Sequence, residues 1–425
     1  MSNLIVSFDP GASLTKIVYE LATEGQPRLM TMEPEMLKLP QSSIDAYMSS
    51  RKGLESSQPA DEAWVSCAAD DHTECTVVGF LARQFSASAR LDKLKYETSI
   101  HKVLAVIGAI ASGSARSAIA CGCARSAIAS GKTQSAIAGG GAKSCGHATR
   151  MPIGQQNQLP NKFSLSLTSL LPYGEYQNRQ AFEQQLRNAL KDFKFRGQRL
   201  RVKLERFECL PEGAGLAMIR QRQNGKEWFN TQTIAVLMFG HRNTSVLLFE
   251  RGKMTAGYTN GLGFHQMVKR VIERTSGQDA TALTSAIYAA GSDITVDNPA
   301  IRALVKSRDP KNIDYELQMI VNAITTAKAE YWSRLYDWLE STLPAVNEVI
   351  LSGGAALYLE QELQDCFPEI STYWGTDLQQ QVQKVLQNNS NDYYHTFRDQ
   401  EALSFRLIDA FGLFMRFRAQ MEKVA

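Results

Sequence analysis

Residues 4–19 read LIVSFDPGASLTKIVY. An apolar, β-branched run from Leu4 to Phe8 meets the turn-forming group Asp9-Pro10-Gly11-Ala12-Ser13, and a second such run follows from Thr15 to Tyr19. This predicts a β-hairpin closed by a glycine-bearing turn. The layout recurs near Thr233: Ile234 to Phe239 is apolar, Gly240-His241-Arg242-Asn243 forms the turn, and Ser245 to Phe249 is apolar again. Two halves that each open with strand, glycine turn and strand, followed by helices, predict an α/β protein of duplicated lobes around a cleft.

Working outward, residues from about 30 to 95 mix proline, serine and charges with short apolar pieces, which predicts a small irregular subdomain. Glu97 to Ala111 has the apolar spacing of a buried helix. Phe163 to Leu167 alternates as a strand, Leu171 to Gly174 turns, Arg179 to Leu190 is helical, and Leu200 to Leu204 is a strand. The run breaks at Leu210-Pro211-Glu212-Gly213-Ala214-Gly215. In the second half, Gly263 to Arg274 and Tyr315 to Leu339 have helical spacing. Glu348 to Ser352 is a buried strand running into Gly353-Gly354-Ala355-Ala356, and a last helix from Leu403 to about Met421 contains Asp409-Ala410-Phe411-Gly412.

Between Gly113 and about Gln158 the composition changes. Ser-Ala-Ile-Ala recurs every nine residues from Ser117, Ser126 and Ser135, embedded in small residues. A low-complexity loop accounts for this, and a parallel β-solenoid is the alternative. Gly131-Lys132-Thr133 mimics the end of a phosphate-binding P-loop, but Ser126 stands where that motif needs glycine, and no strand precedes it.

The chain has 425 residues, 44% of them hydrophobic and 21% charged, too many for one core and too apolar for disorder. Its net charge of +3 argues against a surface devoted as a whole to a polyanion. No Asp or Glu occurs from Thr98 to Gly174, where seven basic residues fall; elsewhere 39 basic residues face 43 acidic ones. Any electrostatic contact with DNA or membrane is therefore expected at the inserted segment. Seven scattered cysteines without a CxxC pair, and a start without a basic leader and apolar core, fit free thiols in a reducing cytoplasm. No apolar run is long enough to span a membrane.

A polyphosphate needs backbone N–H groups near its oxygens, and glycines at strand turns permit that approach. In the first turn Gly11, Ala12, Ser13 and Leu14 can cradle phosphates, Asp9 can hold hydrated Mg²⁺, and Lys16 can offset charge. His241 beside the second turn reads as polar packing rather than a base, because the six histidines have no triad or metal spacing. Phe411, Phe414, Met415 and Phe417 read as core of the last helix rather than a membrane-surface anchor. Tyr331, Trp332, Tyr336 and Trp338 read as core or a partner face.

Taken in order, Asp-x-Gly-x-Ser-x-x-Lys, a Pro-Glu-Gly turn, a second glycine hairpin, Ser-Gly-Gly-Ala and Asp-Ala-x-Gly resemble the actin-like ATPases. Within that superfamily the chain most resembles the bacterial plasmid-segregation filament proteins of the ParM type and their archaeal relatives, over all but roughly residues 113–158. The resemblance implies duplicated actin-like (ribonuclease H-like) lobes: residues 1–225 with the insertion, 226–397, and a C-terminal helix at 398–425 returning to the first lobe. It implies ATP or GTP with Mg²⁺, the metal placed by Asp9 through water. Asp9 to Lys16 match the first phosphate motif, and Glu212 matches the acid that orients attacking water, so Glu212 and Asp9 are the implied catalytic residues. Gly240, His241, Arg242 and Asn243 match the second phosphate motif, and Gly353, Gly354 and Ala355 the adenosine motif. Asp409 to Gly412 match an interlobe hinge segment.

One position departs. The second phosphate motif normally begins with Asp, and Met238 stands there, whose thioether cannot replace a carboxylate for a hard cation. The resemblance thus implies a filament-forming ATPase that segregates DNA through an adaptor, with no direct sequence-specific DNA contact. Met238 favours the alternative, a non-hydrolysing nucleotide-binding scaffold that organises a protein or membrane complex.

Overall fold

A computed structural model describes residues 2–51, 59–68, 70, 74–113, 158–388 and 397–423. The nine-residue repeats and Gly131-Lys132-Thr133 lie outside them.

Fourteen strands form two sheets among the described residues. The first half supplies β1 (Leu4–Asp9), β2 (Thr15–Leu21), β3 (Arg28–Met32), β4 (Met36–Pro40), β5 (Trp64–Cys67), β6 (Glu74–Val78), β7 (Lys162–Leu171), β8 (Phe193–Phe195) and β9 (Gln198–Pro211). The second supplies β10 (Thr233–Phe239), β11 (Thr244–Glu250), β12 (Lys253–Asn260), β13 (Glu348–Ser352) and β14 (Ser371–Tyr373). Strand order is β3-β2-β1-β7-β9-β8-β5-β6-β4 in one sheet and β12-β11-β10-β13-β14 in the other.

The duplication lies in the pairing. β1 is antiparallel to β2, β2 to β3, and β1 is parallel to β7, which is parallel to β9. β10, β11, β12, β13 and β14 repeat that pattern strand for strand. β13 is buried at every residue and β1 at all but Ile5 and the strand is covered on both faces, which explains why both read as continuous apolar runs rather than alternations.

The described residues between 30 and 95 form regular strands and helices rather than an irregular subdomain. β4, β6, β5 and β8 pair antiparallel and join the first sheet through the N-terminal end of β9, with helices Gln41–Ser49 and Gly79–Gln84 on them. The apolar pieces there are too short for sequence periodicity to register, and long-range pairing supplies the order. β9 also runs through Pro211, well past the expected end at Leu204, because β7 pairs with it as far as Leu171↔Pro211.

Helix Lys95–Ala111 is buried along almost its whole length. Helix Pro310–Thr342 starts with proline at its first turn and the Asp309 carboxylate accepting from the Lys311 N–H at 3.0 Å. On it Tyr331 is core, whereas Tyr336 is 41% exposed. Helix Phe397–Glu422 buries Phe411, Phe414 and Phe417, as expected of core rather than a membrane anchor. It packs against β1, β2 and β7 and also against β13 and helices Ala214–Asn224 and Thr376–Asn388, so it stands between the two sheets. The Ser7 hydroxyl donates to the Ala410 carbonyl at 2.8 Å, and Arg416 pairs with Glu208 at 2.7 Å.

Among the described residues Cys67, Cys75, Cys209 and Cys366 are free thiols, and no helix is long and apolar enough to cross a membrane. Lys102, one of the seven cations of the acid-free stretch, is buried, and burial lowers its pKa to about 8 against the opposing charge of Glu35. It therefore adds nothing to a basic surface.

Candidate functional site

Both hairpin turns and the end of β13 open on one cleft. The register Asp9↔Lys16 across β1 and β2 puts that carboxylate and ammonium side by side, and they form an ion pair. The turn β10–β11 faces it from the other sheet, closed by Gly240 N–H donating to the Asn243 carbonyl at 2.9 Å. β13 is parallel to β10, with Met238 beside Ser352, so its glycine end arrives at the same place.

The cleft encloses about 560 Å³ of space including its open mouth. Asp9, Gly11, Ala12, Ser13, Leu14, Lys16, Glu212, Gly240, His241, Arg242, Asn243, Gly353 and Gly354 all line it. Of the residues singled out from sequence, Ala355 does not: it is fully buried, behind the wall. Lys95, Met238, Tyr288 and Arg406 line it as well. Nothing local in the sequence marks Lys95, Tyr288 or Arg406, which arrive from three helices distant in the chain.

Glycine is required at two points of the wall. Gly353 has φ of +95°, and a Cβ there would lie 2.3 Å from the Phe239 carbonyl oxygen. A Cβ on Gly11 would lie 2.1 Å from the Leu14 carbonyl oxygen, so the first turn closes as tightly as backbone allows.

Charge is concentrated here. Glu212, at the end of β9, forms an ion pair with Lys95 at the start of helix Lys95–Ala111. Burial pulls the Lys95 pKa down, but the charges of Glu212 and Asp9 outweigh it and leave it raised, so this lysine is a cation. Arg242 reaches across the cleft mouth to Glu175, whose other oxygen accepts the Lys95 N–H at 2.6 Å. Arg242 also donates to the Lys93 carbonyl at 2.6 Å. Arg406 donates to the Ser13 hydroxyl at 2.8 Å, tying the long C-terminal helix to the first turn. Lys16, Lys95, Arg242 and Arg406 thus surround a space bounded by glycine turns.

His241 is no base toward that space. Burial first, then His265 and Arg406, lower its pKa to about 4, and its Nδ1 is shielded and unpartnered. Asp409 stands behind the cleft. It is buried and accepts the Gly213 N–H at 2.7 Å; burial, reinforced by Asp9 and Glu212, raises its pKa to about 7.

The donor set fits a magnesium-bound polyphosphate on one side only. Asp9 spends Oδ2 on Lys16, while its Oδ1 is shielded and unpartnered, suited to a water of a hydrated cation. Across the cleft the thioether of Met238 supplies no oxygen.

Two lobes of one strand pattern, with a shared helix packed between their sheets and a cleft between them, make this the actin-like fold. Solved structures agree over nearly the whole chain. A ParM filament from Clostridium botulinum superposes with a TM-score of 0.52 at 12% identity, over 88% of this chain and 95% of that one. ParM of Bacillus thuringiensis with ADP gives 0.52 at 10%, over 98% and 99%. The archaeal actin homolog Ta0583 gives 0.51 at 12%, over 99% and 100%. At such identities the likeness is one of fold. No family model matches the chain, and no curated protein does.

Proposed function

We propose that this protein binds a nucleoside triphosphate with Mg²⁺ in the cleft and that bound nucleotide controls its assembly into filaments. The observation that carries the proposal is the convergence of two glycine turns and a glycine strand end on one space ringed by Lys16, Lys95, Arg242 and Arg406. Backbone N–H groups suit a polyphosphate, and Arg406, joined by Lys16, Lys95 and Arg242 as their pairs with Asp9, Glu212 and Glu175 open, would offset its charge. Asp9 would hold the hydrated cation through Oδ1; Mg²⁺ supplies further charge neutralisation when bound. Gly353 and Gly354 leave room for the nucleoside against backbone.

Fold likeness supports the assembly part, since one solved neighbour is a filament and another holds ADP. Movement of DNA through an adaptor, in the cytoplasm, belongs to the same proposal and rests on the motif resemblance. Isothermal titration with ATP and GTP in Mg²⁺ should show saturable heat, and none above a buffer control at millimolar nucleotide refutes binding. Light scattering and negative-stain microscopy with and without nucleotide test assembly.

A second reading, a scaffold that binds nucleotide without turnover, is favoured by two observations. Met238 removes the second carboxylate, and the Glu212 carboxylate is committed to Lys95. Glu212 orients water only if that pair loosens. Phosphate release that falls sharply in Glu212→Ala assigns it the catalytic role; an unchanged rate removes it.

A further inference from the structure

Away from the cleft, the end of β5 approaches the middle of helix Lys95–Ala111. The Cys67 thiol lies 3.3 Å from Asp70 Oδ2, and His101 Nε2 lies 3.0 and 3.1 Å from the two Asp70 oxygens. One ligand atom from each of the three residues lies within 4.8 Å of the others. Tetrahedral Zn²⁺ with bonds of about 2.0–2.3 Å holds its ligand atoms roughly 3.3–3.8 Å apart, so the three need adjust by only about an ångström. We propose that Cys67, Asp70 and His101 bind one Zn²⁺, with water in the fourth position.

The ligand chemistry selects the ion. A thiolate, an imidazole and a single carboxylate are a borderline-soft set, suited to Zn²⁺ and poor for Mg²⁺ or Ca²⁺. All three side chains are partly withdrawn from solvent, which limits competition by water, yet none is sealed off. Three protons or partners must yield: the Cys67 thiol proton, the His101 bond to Asp70, and Lys38, whose ammonium is 3.2 Å from Asp70 Oδ1. The Lys38 side chain is 52% exposed and can swing into water. Two anionic ligands then neutralise the ion.

The spacing of the cysteines in sequence offers no metal pattern, because His101 lies 31 residues beyond Asp70 and on a different element. The site would clip the chain after β5 to the helix whose first residue, Lys95, faces the cleft, independently of whether nucleotide binds there.

The test uses the full chain. Titration with CoCl₂ should give thiolate-to-cobalt charge-transfer absorbance saturating at one equivalent and bleached by ZnCl₂. Cys67→Ser should abolish that band, and His101→Ala should weaken Co²⁺ binding by at least about 10–100-fold, the range found on losing even outer-shell partners. In the unmutated protein, alkylation mapped by peptide should slow at Cys67 by about tenfold or more on adding ZnCl₂, while Cys366 reacts as before. An undiminished band in a folded Cys67→Ser, or zinc protection confined to Cys121, Cys123 and Cys145, would overturn the proposal.

Discussion

Replacing Asp409 by asparagine tests whether the helix between the lobes buries a carboxylate at an energetic cost. The side chain is buried and accepts one N–H, from Gly213 at 2.7 Å, while its second oxygen has no partner. Its pKa stands at about 7 against an ordinary 3.8, burial being the largest cause. An acid whose pKa is raised on folding makes the native state bind the extra proton. Stability from this group is therefore fully present below the ordinary value and is lost as pH rises toward 7. At about 1.4 kcal/mol per pH unit, roughly 4 kcal/mol is lost over that span, of which about 2 kcal/mol falls between pH ~5.5 and 7. Asparagine keeps the acceptor for Gly213 and removes the titration, at a pH-independent cost of about 1–3 kcal/mol if its amide hydrogens find no acceptor. Thermal unfolding of both proteins without nucleotide, from about pH 5.5 to 8.5, should show the variant gaining on the parent by a few degrees as pH rises. A difference between the two that stays constant across that range would refute the assignment of an uncompensated buried carboxylate.

Other outcomes follow from the cleft and the inserted segment. Lys16→Ala should lower nucleotide affinity by about 10–100-fold, the loss of one charge-assisted contact of about 1.5–3 kcal/mol, with an unchanged circular dichroism spectrum. Gly353→Ala, at φ of +95° and 2.3 Å from a carbonyl oxygen, should destabilise the protein by about 1–3 kcal/mol from strain alone, read by urea unfolding. The Leu159 N–H donates to the Ala111 carbonyl at 3.0 Å, so the chain leaves and re-enters at one point. A short Gly-Ser linker in place of residues 114–157 should preserve folding and nucleotide binding; insoluble protein would show that the segment belongs to the core.

The hairpins at Asp9–Lys16 and Phe239–Thr244, the buried strand Glu348–Ser352 and the long helices were legible because each is a local pattern: an apolar run, a turn glycine, a 3.6-residue period. So was the set of turn residues that line the cleft, since a glycine turn is written in adjacent positions. The small sheet β8-β5-β6-β4 was not, its strands being short and stabilised by partners far along the chain. Nor was the state of the site residues. Sequence alone gave Glu212 and Asp9 as acids; tertiary structure decided that Lys95 and Lys16 pair with them, that His241 is too buried to carry charge at neutral pH, and that Asp409 holds its proton to about pH 7. The same division separates Cys67 and Asp70 from His101, which only the packing of β5 on a helix brings together. Local pattern fixes which element a residue occupies, whereas ionisation and ligation depend on burial and on neighbours supplied from elsewhere in the chain.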